Sequence, residues 1–104
     1  MIYGGNMTKK IANTNTVERD QKLKESLLKR LNRIEGQVRG IKGMVEKDIY
    51  CDDVLQQISA VQSAINSVSK LVLENHIRTC VVEKIENGDK EIINELLGTI
   101  GKML

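Results

Sequence analysis

The sequence predicts an all-α protein with three helices per chain, whose core is completed when two chains pair as an antiparallel helical-bundle dimer. Three observations carry that expectation. The 104 residues contain no Pro, Phe or Trp and only two Tyr, and the 40% that are hydrophobic are mostly aliphatic, a mixture suited to helices packed by aliphatic side chains. Two apolar stripes repeat with spacings of 4, 3, 4, 3, 4, a heptad-like period. Residues 44–87 contain neither Gly nor Pro, so one helix can run through most of that stretch.

Residues 1–15 (MIYGGNMTKKIANTN) show no periodicity and hold a Gly pair. They read as a flexible N-terminal tail, leaving residues 16–104 as the folded domain. The first helix is expected to begin near Thr16, a residue that can cap it, with Glu18 and Asp20 in a first turn where the helix dipole favours acids. Leu27, Leu31, Ile34, Val38, Ile41 and Val45 form its stripe, and Lys22, Lys29, Arg33 and Lys47 share a flank, with Arg30 between flank and stripe. A break at Asp48–Tyr50 precedes the second helix, which is expected from about Cys51 to Glu86. Its stripe is Val54, Ile58, Val61, Ile65, Val68 and Val72. Asn87-Gly88 ends it, because Gly suits a left-handed cap. Asp89 opens a short third helix with an apolar face of Ile92, Ile93, Leu96, Leu97 and Ile100. At 1.5 Å per residue the second helix is a rod of roughly 50 Å. A monomer of this size cannot cover such a rod along its length, so the stripes must be shared between subunits.

Charge is divided along the chain. Residues 1–50 carry 11 Lys/Arg against 6 Asp/Glu, a net +5, and residues 51–104 carry 5 against 8, a net −3. The basic half suits an anionic partner such as nucleic acid, although a solvated polar face would have the same composition. The scarcity of aromatics argues against base stacking on single strands. No glycine-rich phosphate loop follows a strand, and a helical seam offers no evident oxyanion hole or substrate cleft, so no enzyme is expected. No apolar run reaches the ~18 residues of a membrane span, and the first 15 residues lack the apolar core of a secretory signal. A cytoplasmic protein without a membrane partner is therefore expected, and there two cysteines serve more readily as ligands or redox sensors than as a disulfide.

The chain's single His and both of its Cys share one helix face. His76 and Cys80 are four residues apart and so are neighbours on a helix. At ~100° per residue Cys51 falls within about 40° of both. Cys51 and His76 are nonetheless 25 residues apart, roughly 37 Å along one helix. Two antiparallel copies related by a two-fold axis near Ile65 would set Cys51 of one beside His76 and Cys80 of the other, making two equivalent sites. Two thiolates and an imidazole are a soft, three-ligand set that favours Cu(I), whereas Zn(II) prefers a fourth ligand. Taken singly, a buried Cys is ordinarily a small hydrophobe and an interface His a satisfied structural group. A metal-free persulfide or thiol-redox sensor is the competing reading, and His76 speaks against it.

Three blocks carry a family resemblance. Residues 30–41 (RLNRIEGQVRGI) resemble the RLxRIEGQVRGI signature of the CsoR/RcnR family of metal-sensing repressors, and residues 50–61 (YCDDVLQQISAV) and 75–80 (NHIRTC) resemble its second and third blocks. The similarity spans about residues 20–100. It implies a three-helix protein whose antiparallel dimers pair into flat tetramers. It also implies a metal-free form that binds double-stranded operator DNA and is released by metal. In copper members the ligand positions match Cys51, His76 and Cys80, with Cys51 from the other subunit, and Tyr50 and Glu95 fall where the family places residues that orient the ligating His. Persulfide-sensing relatives lack the His. Nickel and cobalt relatives replace the second Cys and add an N-terminal His, and formaldehyde sensors also use an N-terminal site. The copper pattern fits best, with copper-export genes as the expected targets. Arg30, Arg33, Arg39 and Lys70 are the expected DNA contacts, although the second helix is otherwise mostly polar where the family is basic.

Overall fold

The computed structural model describes residues 17–104; the expected tail, residues 1–15, and the expected cap Thr16 lie outside them. Among the described residues there are three helical rods and no strand. Helix α1 spans Gln21–Glu46. It starts later than expected. Residues 17–20 are not helical, and Asp20 caps the helix, its carboxylate accepting the Leu23 N–H at 3.2 Å. Asp is at least as good a cap as Thr, and here it takes up one of the N–H groups that the first turn leaves unpaired.

The end of α1 is a Schellman closure. The Ile49 N–H bonds the Met44 carbonyl (3.0 Å) and the Asp48 N–H bonds that of Val45 (3.1 Å), which requires a left-handed residue between them. Asp48 fills that position with φ 55°, a conformation short polar side chains tolerate better than most. The same closure recurs at the end of the second rod. There Asp89 N–H bonds the Lys84 carbonyl (2.9 Å), Gly88 N–H bonds that of Ile85 (3.0 Å), and Gly88 has φ 89°, as its composition led one to expect.

The second rod, α2, runs from Cys51 to Glu86 as expected, but it is not a uniform α-helix. It is α-helical over Cys51–Asn75, π-helical over His76–Val81 and α-helical again over Val82–Glu86. Backbone angles at the junctions stay right-handed helical, so the rod continues without a break. Helix α3 spans Glu91–Met103, and the Asp89 carboxylate accepts the Glu91 N–H at 3.1 Å at its start.

Helix α1 packs along α2, whereas α3 docks on the π-helical turn. The buried core is correspondingly small: Leu27 and Ile34 from α1, Val81 from the π turn and Ile92 from α3. The α1 stripe divides. Leu27 and Ile34 are buried and Ile41 is half-buried, while Leu31, Val38 and Val45 remain 42%, 47% and 60% exposed. Leu55, Ile65 and Leu97 are likewise exposed. The molecule extends 55 Å along its longest axis against 28 and 25 Å across. A single chain thus leaves half of its α1 stripe facing water, a liability that a partner helix would remove.

Candidate metal centre and basic face

The predicted ligands fall into two groups at opposite ends of α2. Cys51 is the first residue of the rod, exposed and free, and Tyr50 immediately before it is also exposed. Asp52 and Asp53 fill the rest of that first turn. At the far end, His76 and Cys80 line one groove of about 450 Å³ with Glu95 of α3. His76 and Cys80 are half-buried, and Cys80 is free. Among the described residues no three His, Cys, Asp or Glu side chains of one chain come together in an arrangement that could hold a metal ion. His76, Cys80 and Glu95 thus border one groove without closing on a common point, and Cys51 with Tyr50 lies at the other end of α2.

Sequence reasoning placed His76 and Cys80 one turn apart on an α-helix. They lie instead within the π turn, whose i→i+5 pairing widens the helix locally; such turns are frequent at functional sites. Here the Val82 N–H reaches back to the Ile77 carbonyl. The Thr79 hydroxyl donates to the Asn75 carbonyl at 2.7 Å. Residues that sequence reasoning missed also line the groove: Arg19 and Val17 from the segment entering α1, and Glu83 from α2. Glu83 could have been found, lying three residues beyond Cys80 and seven beyond His76 on one face. Arg19 could not, because only tertiary packing brings the segment before α1 to this end of the rod. His76 also borders a second, largely apolar groove with Val72, Leu73, Thr99 and Met103, so the imidazole sits at the seam between α2 and α3.

Of the expected DNA contacts, Arg30 and Arg33 lie together. Both line a cleft with Ala64 and Ser67 of α2, and both border a second with Lys29 and Ser26. The Arg30 Nε donates to Ser26 Oγ at 3.4 Å, a long and weak bond that leaves the guanidinium free for an anion. Lys70 is exposed on α2, one turn beyond Ser67. Arg39 is exposed but separate: nine residues from Arg30, it lies roughly 180° around α1. Its guanidinium runs back along Gly36, 3.9 Å from where a β-carbon would stand. The basic cluster is therefore Lys29, Arg30 and Arg33, with Arg39 on another face.

Residues 23–102 match the model of the metal-sensitive transcriptional repressor family. The chain belongs to that family. Its members are regulators of transcription rather than enzymes. The copper-sensing transcriptional repressor CsoR of Bacillus subtilis is 51% identical over 85 residues, covering 81% of this chain and 84% of that protein. The copper-sensing repressor RicR of Mycobacterium tuberculosis is 52% identical over 65 residues, 62% and 68% of the two chains. Among solved structures, CsoR with Cu(I) from Geobacillus thermodenitrificans superposes with a TM-score of 0.79 at 43% identity, over 85% of this chain and 93% of that one. The nickel-responsive regulator InrS superposes with 0.66 at 31% identity, over 86% and 98%. The all-α architecture expected from the sequence is thus the architecture of this repressor family. No helix among the described residues is long and apolar enough to cross a membrane.

Proposed function

We propose that this repressor is Cu(I)-responsive: its metal-free form holds operator DNA, and Cu(I) releases it, derepressing genes for copper export or resistance. The observation that carries the proposal is the division of soft ligands between the two ends of α2. Cys51 at one end and His76 with Cys80 at the other are complementary halves of one S₂N set. An antiparallel dimer with its axis near Ile65 would bring each half to the other twice. The exposed Leu31, Val38, Ile65 and Leu55 are apolar surface available to cover that seam. The similarity to copper-sensing relatives favours the same inducer.

The residues fit the metal by their chemistry, since two thiolates with one imidazole favour Cu(I) and leave Zn(II) one ligand short. Bound Cu(I) would supply a cross-link between subunits. The rest of the device is protein. Tyr50 travels with Cys51 into the partner's groove, where it and Glu95 can hold the imidazole of His76 in one orientation. Glu95 belongs to α3, and α3 is docked on the π turn that carries both His76 and Cys80. Ordering this groove therefore sets the position of α3. Arg19 and Val17 lie on the same groove, which links it to the start of α1, the helix that presents Arg30 and Arg33 to phosphate. Allosteric release needs these contacts to differ between the two states.

The test is the ligand count. X-ray absorption of the Cu(I)-loaded protein should give two sulfurs and one nitrogen. Cys51→Ala or Cys80→Ala should abolish tight binding, and His76→Ala should weaken it or uncouple it from DNA release. Full copper-dependent release in the His76 variant would contradict the proposal.

A further inference from the structure

The proposed ligands His76 and Cys80 sit in a π-helical register, and we infer that Thr79 is a positioning residue for the metal centre, acting by fixing that π turn. This rests on the copper-site reading above. In a regular α-helix the Asn75 carbonyl would pair with the N–H of residue 79, whereas in the π register its backbone partner is one residue further on. The Thr79 hydroxyl stands in for that lost α-helical bond, donating to the Asn75 carbonyl at 2.7 Å. Thr is suited to this role, because its stiff χ1 can place the hydroxyl on the i−4 carbonyl, a bond that bends helices.

The same oxygen lies 3.6 Å from Cys80 Sγ. A hydroxyl has one proton and two lone pairs. That proton can go to the Asn75 carbonyl or to the sulfur but not to both, and the carbonyl contact is much the shorter. One exposed side chain thus touches both the register-setting carbonyl and a proposed ligand. Without its hydroxyl, the widened turn loses a partner that regular α-helix does not need, and a return to α register rotates Cys80 relative to His76. It also moves the platform on which α3 docks.

Thr79→Val keeps the shape and removes the donor; Thr79→Ser keeps the donor. In the full chain, chelator competition should show Cu(I) affinity about 10–100-fold lower in the Val variant, the range for losing a partner that orients a ligand, with the Ser variant near the unaltered protein. In metal-free protein, backbone amide NMR shifts of residues 76–82 should move in the Val variant and not in the Ser variant, with helix content by circular dichroism unchanged. A Val variant that binds Cu(I) as the unaltered chain does, or a Ser variant as weak as Val, overturns the role of Thr79 and leaves the copper site standing. Failure of the unaltered chain to bind Cu(I) overturns both.

Discussion

Mixing two defective chains should rebuild about one quarter of the metal sites. One chain carries Cys51→Ala, the other His76→Ala with Cys80→Ala. Within one chain the two ligand groups are about 37 Å apart, 25 residues at 1.5 Å each, while metal–ligand bonds are about 2.0–2.3 Å. No rotamer change closes that gap, so the proposed site has to draw on two subunits. In an isologous dimer of the two variants, one site receives every ligand and the other none. Random pairing of equal amounts makes half of the dimers mixed, so the mixture should hold about one quarter of a tight Cu(I) per chain against about one for the unaltered protein. Each variant alone should hold essentially none. The assay is co-refolding from denaturant under anaerobic conditions, followed by titration against a Cu(I) chelator strong enough to strip two-ligand sites. A mixture as empty as its parents would refute the shared site, and so would Cys51→Ala binding a full equivalent by itself.

Three further outcomes are expected. Arg30→Ala with Arg33→Ala should weaken operator binding and flatten its log–log salt dependence by about 2 for each subunit in contact with the DNA if each guanidinium releases one phosphate counterion, whereas Arg39→Ala, which lies on another face of α1, should change the slope less; anisotropy at several salt concentrations measures both. Asp48→Gly should raise stability by about 0.5–1 kcal/mol, because it relieves a left-handed φ of 55° at the end of α1 at some cost in unfolded-chain entropy; a higher urea midpoint with an unchanged slope is the signature. Ile92→Ala, which empties a site only 3% exposed, should cost about 2–5 kcal/mol and loosen α3 from the π turn. Amide exchange in residues 91–103 should accelerate well before exchange in α1.

Much of this fold is legible because its signals are local. The rod from Cys51 to Glu86 follows from a stretch without Gly or Pro ended by Asn87-Gly88, and Gly88 adopts the left-handed cap its lack of a β-carbon permits. The matching closure at Asp48 was less visible, since Asp reaches that region only when the surrounding hydrogen bonds demand it. The α1 stripe was legible as a period but not as a division: which half meets α2 and which half is left for a partner depends on tertiary rotation of the helix. The π turn had no clear sequence signal, because its backbone angles stay close to those of an α-helix and residues 76–81 contain no helix breaker. At the site, soft-ligand chemistry and helix length together separate Cys51 from His76 and Cys80. The groove's Arg19 and Val17 come from before α1, beyond the reach of any helical period.

Fluorescence anisotropy of the metal-free protein on its own upstream promoter DNA, titrated anaerobically with Cu(I) and in parallel with Zn(II) and a persulfide donor, tests the central claim most directly. Release by about one Cu(I) per chain, with neither of the other two effective, is the predicted result. Release by the persulfide donor while Cu(I) leaves the complex intact would keep the fold and the DNA partner but contradict the metal centre, moving the chemistry to Cys51 and Cys80 as a thiol pair.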